Sequence, residues 1–217
     1  VEHLERIPSD GPCLIVANHV TEIDPITVGL SVVDAGRTPR FLAKESLFRI
    51  PVLGFLLHRI RQVPVHRGTR DTAQALSHAQ DHLARGGVVV IYPEGTLTRD
   101  PLRWPMHAYP GAARLALGLD VPVIPIAHWG DQQILGRDSR WRVHVSLRPR
   151  RPVRVRVGEP VDLSRFRSTR APGQTGRTDA ERVAAVPRAA AAEATDAILD
   201  AIAAELSVLR DEPVPPT

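Results

Sequence analysis

Cysteine, methionine and lysine occur once each in this 217-residue chain, and aromatic residues make up only 4 % of it. A lone cysteine, Cys13, excludes a disulfide framework and a thiolate metal site. It lies in the apolar run Cys13-Leu14-Ile15-Val16-Ala17 and reads as a small core residue. Long hydrophobic runs are also missing: none approaches the roughly 18–20 apolar residues needed to cross a bilayer. Because the chain begins at Val1, it reads as a fragment or boundary, and an N-terminal anchor ahead of it stays open. No internal repeat is visible. Of the 28 basic residues 27 are arginine. From Arg137 to Arg170 eleven arginines face only Asp138, Glu159 and Asp162. Either a GC-rich coding bias or an anionic partner accounts for that excess, and such a segment suits phospholipid headgroups or nucleic acid. It offers no interleaved aromatic platform for stacked bases, so no nucleic-acid partner is expected.

The length fits one domain with a full core. Short apolar runs alternate with helical stretches, which predicts an α/β fold: a single domain with a mainly parallel central sheet of about seven strands flanked by helices. The expected strands are Cys13–Ala17, Arg40–Ala43, Gln62–Val65, Gly87–Tyr92, Val121–His128, Arg142–Leu147 and Val153–Val157. Helices are expected over Ile26–Ala35, Pro51–Ile60, Thr69–Arg85 and Gly111–Leu119. Asp24 followed by Pro25 has the form of a helix start, a capping carboxylate and then proline in the first turn. Gly86-Gly87 is a suitable stop. The division along the chain is residues 1–166 as the main domain, 167–178 as a linker or loop, and 179–217 as an alanine-rich helical segment with a tail. That segment is expected to break near Pro187. Val121-Pro122-Val123-Ile124-Pro125, with two prolines in an apolar strand, suggests an edge or a wall rather than a central position.

Chemistry gathers at predicted strand ends. In Asn18-His19-Val20-Thr21-Glu22-Ile23-Asp24 a histidine stands five residues before a carboxylate. Imidazole can take a proton from a hydroxyl near neutral pH, and a carboxylate can hold it in the right tautomer. At Ile91-Tyr92-Pro93-Glu94-Gly95-Thr96 a strand ends, and a glycine permits close approach of a ligand. Glu94 falls at the same sheet edge as His19 if the two strands run parallel. Gln62-Val63-Pro64-Val65-His66-Arg67 delivers Arg67, whose planar fork suits a phosphate. The other histidines show no convincing metal spacing, and His78 and His82, four apart on a predicted helix, lack a third ligand.

In this order the segments resemble the PlsC-like glycerolipid acyltransferase family, typified by 1-acylglycerol-3-phosphate acyltransferases. The resemblance runs from about Gly11 to Pro160. It rests on Asn18, His19 and Asp24, on Leu47-Phe48 through Arg67, on Pro93–Thr96, and on Val121–Pro125. It implies the glycerolipid acyltransferase fold and a direct acyl transfer. His19 is then the general base and Asp24 its orienter. Asn18, Arg67, Glu94, Gly95, Thr96 and Arg99 are the expected substrate-binding residues. Arg67 takes the acceptor phosphate, and Asn18 or a backbone amide near Gly95 steadies the oxyanion. The donor is acyl-CoA or acyl-carrier protein, the acceptor a lysophospholipid, and no cofactor or metal is implied. One departure concerns the acceptor: Leu97 stands where many relatives have arginine, and Arg99 follows two residues later.

The family reading predicts an enzyme of phospholipid biosynthesis that esterifies 1-acyl-glycerol-3-phosphate to phosphatidic acid. Its expected place is the cytoplasmic, inner face of the cell membrane, bound peripherally to the membrane surface. Phe48–Arg61, an apolar helix flanked by arginines, suits interfacial insertion, with a core helix as the alternative. The insert Asp100–Pro110, with Trp104, Met106 and Tyr109, is expected as a loop over the site. Two other readings stand beside this one: a different lysophospholipid or glycolipid acceptor, and a non-catalytic lipid- or acyl-binding module.

Overall fold

The computed structural model describes residues 1–44, 63–65, 69–137, 142–146, 152–167 and 178–215, without side chains at 42–44, 63–65 and 69–75. Expected features over Pro51–Ile60, Phe48–Arg61 and Arg67 lie outside the described residues. The described residues form eight strands: β1 (Cys13–Ala17), β2 (Pro39–Lys44), β3 (Val63–Val65), β4 (Val88–Ile91), β5 (Val123–Trp129), β6 (Leu135–Arg137), β7 (Val143–Val145) and β8 (Arg154–Val157). Six form the central sheet in the order β3-β2-β4-β1-β5-β8. The first five of these run parallel, and β8 joins β5 antiparallel.

The strand count differs from expectation at one segment. Of the expected strand Arg142–Leu147, the described residues 142–146 do not join the central sheet; their core, β7, is exposed at every residue and pairs antiparallel with β6 in a separate ribbon. Valines alternate with polar residues there, but among the described residues no apolar layer covers the ribbon, and Val143 and Val145 are 52 % and 64 % exposed. The position of β5 is a second correction. It lies between β1 and β8 and is neither an edge nor a wall. Its prolines are tolerated by placement. Pro122 precedes the strand and lends its carbonyl to the Leu14 amide. The carbonyl of Pro125 faces the β8 side, where the ladder is already ending, and accepts from Gly158. The missing N–H of Pro125 falls on that same β8 side, at the end of the ladder, so the pairing of β5 with β1 is left intact.

The helices are α1 (Asp24–Asp34), α2 (Thr69–Ala84), α3 (Gly111–Leu119), α4 (Ser164–Arg167), α5 (Asp179–Ala184) and α6 (Arg188–Arg210). Period-2 alternation in the buried strands divides the core into two layers. Leu14 and Val16, Val89 and Ile91, and Val123 point to the face covered by α2, α3, α5 and α6. Cys13, Ile15 and Ala17, Val88 and Val90, and Ile124 and Ile126 point to the face covered by Val28 and Val32 of α1. The long helix α6 places Ala190, Ala194, Ile198, Ile202, Leu206 and Leu209 on one buried stripe, at the three- and four-residue spacing that keeps side chains on one helical face. Each buried Ile or Leu there contributes roughly 1.5–3 kcal/mol, so the C-terminal segment shares the core of the sheet. As expected, the helical segment is interrupted at Pro187, which is the N-cap of α6. At the α3–α5 crossing, a Cβ on Gly118 would lie 2.7 Å from the Val183 Cα, so only glycine admits this approach.

The crossovers position the site. Helix α1 carries the chain from β1 past β4 to β2 on one face, while α3 carries it from β4 past β1 to β5 on the other. The two connections leave adjacent strands in opposite directions. The carboxyl ends of β4, β1 and β5 therefore lie together at one edge of the sheet, the place where open parallel sheets bind ligands.

Candidate active site

The chain leaves β1 at Ala17 and immediately presents Asn18 and His19 at this edge. His19 Nδ1 lies 2.9 Å from Asp24 Oδ2. The same oxygen accepts the Val20 amide at 2.6 Å and the Thr21 amide at 2.9 Å, and Oδ1 accepts the Thr21 hydroxyl at 2.6 Å. Backbone amides can only donate, so Asp24 is held as an acceptor, and His19 must carry its proton on Nδ1. That tautomer leaves Nε2 as the ring's acceptor. Asp24 is fully buried. Burial alone would raise its pKa, but the neighbouring His128, the His19 hydrogen bond and the Thr21 hydroxyl outweigh it and hold the carboxyl below its usual range.

Asp24 does open α1, but it does not cap it. The N-cap position belongs to Ile23, with no side-chain cap hydrogen bond. The carboxylate reaches back over the loop instead, and Thr21 Oγ1 takes the Ile23 amide at 3.2 Å. The His19 ring is fixed from a second side by Tyr92, just beyond β4, stacked at a centroid distance of 4.1 Å and an interplanar angle of 17°. Register explains the meeting: β1 and β4 are parallel with Val16 opposite Ile91, so the residues that follow emerge side by side.

Glu94 is at the same edge, as expected for parallel strands, and it is buried. Its Oε2 accepts the Met106 amide at 2.9 Å, while Oε1 has no hydrogen-bond partner. Burial pushes its pKa up to about 7, aided by the Asp24 charge and opposed by the nearby Met106 and His19 backbone and the Thr98 hydroxyl. Gly95 turns with φ +64, a left-handed conformation suited to glycine, and the Tyr109 ring lies 3.2 Å from where a Cβ would stand. Its amide donates to Tyr92 O at 2.9 Å and is therefore already committed within the turn. Thr96 is half-buried and Arg99 is exposed, with the Arg99 amide directed at Met106 Sδ. The insert over Asp100–Pro110 is tied down by Met106 on Glu94, by the Tyr109 amide on Pro93 O, and by Thr98 Oγ1 on Trp104 O. Trp104 turns inward against Leu206 and Leu209, leaving Tyr109 as the exposed aromatic of that loop.

Asn18 requires a correction. Expected to meet substrate or oxyanion, it is buried with its side-chain amide committed to β5: Nδ2 donates to His128 O and Oδ1 accepts from His128 N, both at 3.0 Å. It bolts β1 to β5 at the edge of the sheet. Sequence reading passed over three residues that the fold brings in. Tyr92 is one. The others are His128, near the end of β5, and Asp131, three residues later. His128 Nδ1 is 2.6 Å from Asp131 Oδ2, and its Nε2 is 2.8 Å from Asn18 O and 3.7 Å from Asp24 Oδ2. Thr27 Oγ1 donates to the other Asp131 oxygen. The available signal was a His-x-x-Asp spacing that begins at the end of the proline-containing strand. Asp24, His128 and Asp131 bring possible cation-ligand atoms within 4.8 Å of one another. Both nitrogens of His128 are already engaged in hydrogen bonds, which reads the cluster as a proton-sharing network.

A family model described as Acyltransferase matches residues 1–129. Among curated proteins, the chain is 31 % identical over 141 residues to a chloroplastic 1-acyl-sn-glycerol-3-phosphate acyltransferase of Brassica napus, covering 64 % of this chain and 39 % of that protein. A chloroplastic protein of the same name from Arabidopsis thaliana is 30 % identical, with 64 % and 38 % covered. The N-acylphosphatidylethanolamine synthase of Arabidopsis thaliana is 24 % identical over 164 residues, with 72 % and 58 % covered. The chain thus spans about two fifths of the length of the first two relatives. No solved structure matches it.

Proposed function

This chain belongs to the acyltransferase family, and from that premise we propose that it moves a fatty acyl group from acyl-CoA or acyl-carrier protein to the free hydroxyl of 1-acyl-glycerol-3-phosphate. The observation that carries the reading is the His19–Asp24 pair, closed at 2.9 Å with the imidazole stacked on Tyr92. His19 Nε2 takes the acceptor's hydroxyl proton as its oxygen attacks the thioester carbonyl. The tetrahedral centre collapses, the C–S bond breaks, and the thiolate recovers the proton from Nε2. Asp24 stays ionised throughout and steadies the imidazolium formed in between. A thioester is already activated, so the protein's main tasks are positioning and proton removal.

Arg67 is the proposed ligand of the acceptor phosphate, and Thr96 and Arg99 extend the acceptor site beside Glu94 and Gly95. Exposed Arg99, Leu102 and Tyr109 beside the site fit a membrane surface, and among the described residues no helix is long and apolar enough to cross a membrane. The proposed location is peripheral, on the cytoplasmic face of the cell membrane. Leu97, in place of the arginine many relatives carry, favours a second reading in which the acceptor is another lysophospholipid or a glycolipid.

The test is thiol release from acyl-CoA by purified protein, followed with a panel of lysolipids. Release with lysophosphatidic acid, abolished in His19→Ala, is expected. Equal release with His19→Ala would sink the enzyme reading, and equal use of phosphate-free acceptors would reassign Arg67.

A further inference from the structure

Asp24 is a fully buried carboxylate flanked on one side by His19 and on the other by His128. His128 is itself fully buried, and both of its ring nitrogens face oxygen acceptors. Nδ1 meets the Asp131 carboxylate at 2.6 Å, and Nε2 meets the Asn18 carbonyl at 2.8 Å. A carbonyl cannot donate, so Nε2 must carry a hydrogen. The Nδ1 contact needs a second hydrogen, which sits either on the ring or on Asp131.

We propose that His128 is a buried imidazolium, protonated on both nitrogens, and that it is a positioning residue which keeps Asp24 ionised behind the catalytic histidine. This deepens the acyl-transfer reading and rests on it for the functional part. During proton transfer His19 becomes cationic, and the row His19, Asp24, His128, Asp131 then alternates plus, minus, plus, minus. Fixed charges of alternating sign do here what solvent does at an exposed carboxylate. The surroundings support this assignment. Burial disfavours the cation, but Asp24 and Asp131 outweigh it and raise the His128 pKa. From β4, the Tyr92 hydroxyl is buried without a partner and is held neutral by its burial and by the two aspartates. From α1, Thr27 donates to Asp131. From β8, Arg154 is directed to the Leu209 carbonyl, and Arg156 to Glu2 and to Glu205 of α6. Arg210 of α6 lies between the Trp104 and Trp129 rings. The two aspartates are thus the carboxylates in contact with His128.

Two measurements test the proposal. In protein labelled with 15N at histidine and assigned through its backbone, both His128 ring nitrogens should carry protons at about pH 8, above the ordinary histidine range. A neutral tautomer there, with the hydrogen on Asp131, overturns it. In His128→Gln the acid limb of the rate profile should move up by about one pH unit, a tenfold loss below the limb. Removing the cation makes both Asp24 and the base behind it easier to protonate. A profile superimposable on the wild type's also overturns the proposal. The nitrogen readout does not depend on activity. A doubly protonated His128 in a protein inactive toward every acceptor would therefore fail the acyl-transfer reading and leave the charge assignment standing.

Discussion

Glu94→Gln should make the protein more stable at pH 8 and leave it unchanged in acid. Glu94 is buried with one carboxylate oxygen on the Met106 amide and the other without a partner, and its pKa is pushed from 4.5 up to about 7. The folded state therefore binds this proton more tightly than the unfolded chain does. Between the two values the folded protein holds a proton that the unfolded chain has released, so stability falls as pH rises. Each pH unit in that window costs about 1.4 kcal/mol, giving a loss on the order of 3 kcal/mol by the time Glu94 is charged. Glutamine retains an oxygen for Met106, stays neutral and lacks this slope. Urea unfolding of both proteins, followed by tryptophan fluorescence across the pH range, isolates the effect as a difference. The curves should coincide near pH 4.5 and diverge until about 7. Parallel curves would refute the reasoning, because a buried and half-unpartnered carboxylate would then titrate as it does in water.

Asp24→Asn should lower kcat by roughly 10²–10⁴ with little change in KM, since the amide breaks the tautomer control of His19; thiol release reads both constants. Arg210 is clamped between two indoles, 4.4 Å from Trp104 and 4.3 Å from Trp129. Arg210→Ala should cost about 1–2 kcal/mol in urea unfolding, and Arg210→Lys should recover less than half, because an ammonium cannot stack. Gly118→Ala should destabilise by about 1–3 kcal/mol despite alanine's better helix propensity, since its methyl meets the Val183 backbone. If the network around His128 shares protons rather than a cation, prolonged chelation should leave thiol release unchanged, and loss of activity restored by a divalent ion would reverse that reading.

Much of the fold was legible because its signals are local. Runs such as Cys13–Ala17 and Val88–Ile91 are apolar on both faces, as strands buried between two helical layers must be. Glycine marked the end of α2 and proline the start of α6. The failures share a cause. Valine alternation in Arg142–Leu147 has the form of a half-buried strand, but whether a layer covers the ribbon is decided elsewhere in the chain. The two prolines of Val121–Pro125 suggested an edge or a wall, because a sequence does not show where the strand begins or on which side a missing amide falls. The site divided in the same way. His19 and Asp24 stand five residues apart and could be read as a pair. His128 could not, because its partners Asn18 and Asp24 lie more than a hundred positions away and meet it only through the β1–β5 register.

That register also explains why the site needs the third strand. A carboxylate sealed from solvent gains from its hydrogen bonds but still bears the desolvation cost of its charge. The loop after β1 satisfies Asp24 with two amides and a hydroxyl, which offsets part of that cost. β5 adds a second group able to carry a compensating positive charge, 3.7 Å from the carboxylate and on a different strand from His19. Asn18 makes this placement dependable, since its side chain grips both the amide and the carbonyl of His128 while its own carbonyl takes the ring. The side chain of Asn18 therefore acts on the site through the backbone of a neighbouring strand. Replacing it by aspartate would keep the acceptor for the His128 amide, lose the donor to its carbonyl, and add a negative charge beside Asp24. On this account Asn18→Asp should impair activity more at low pH than at high, since the added charge makes Asp24 and the base behind it easier to protonate, whereas a residue that merely contacted the acceptor would lower activity evenly.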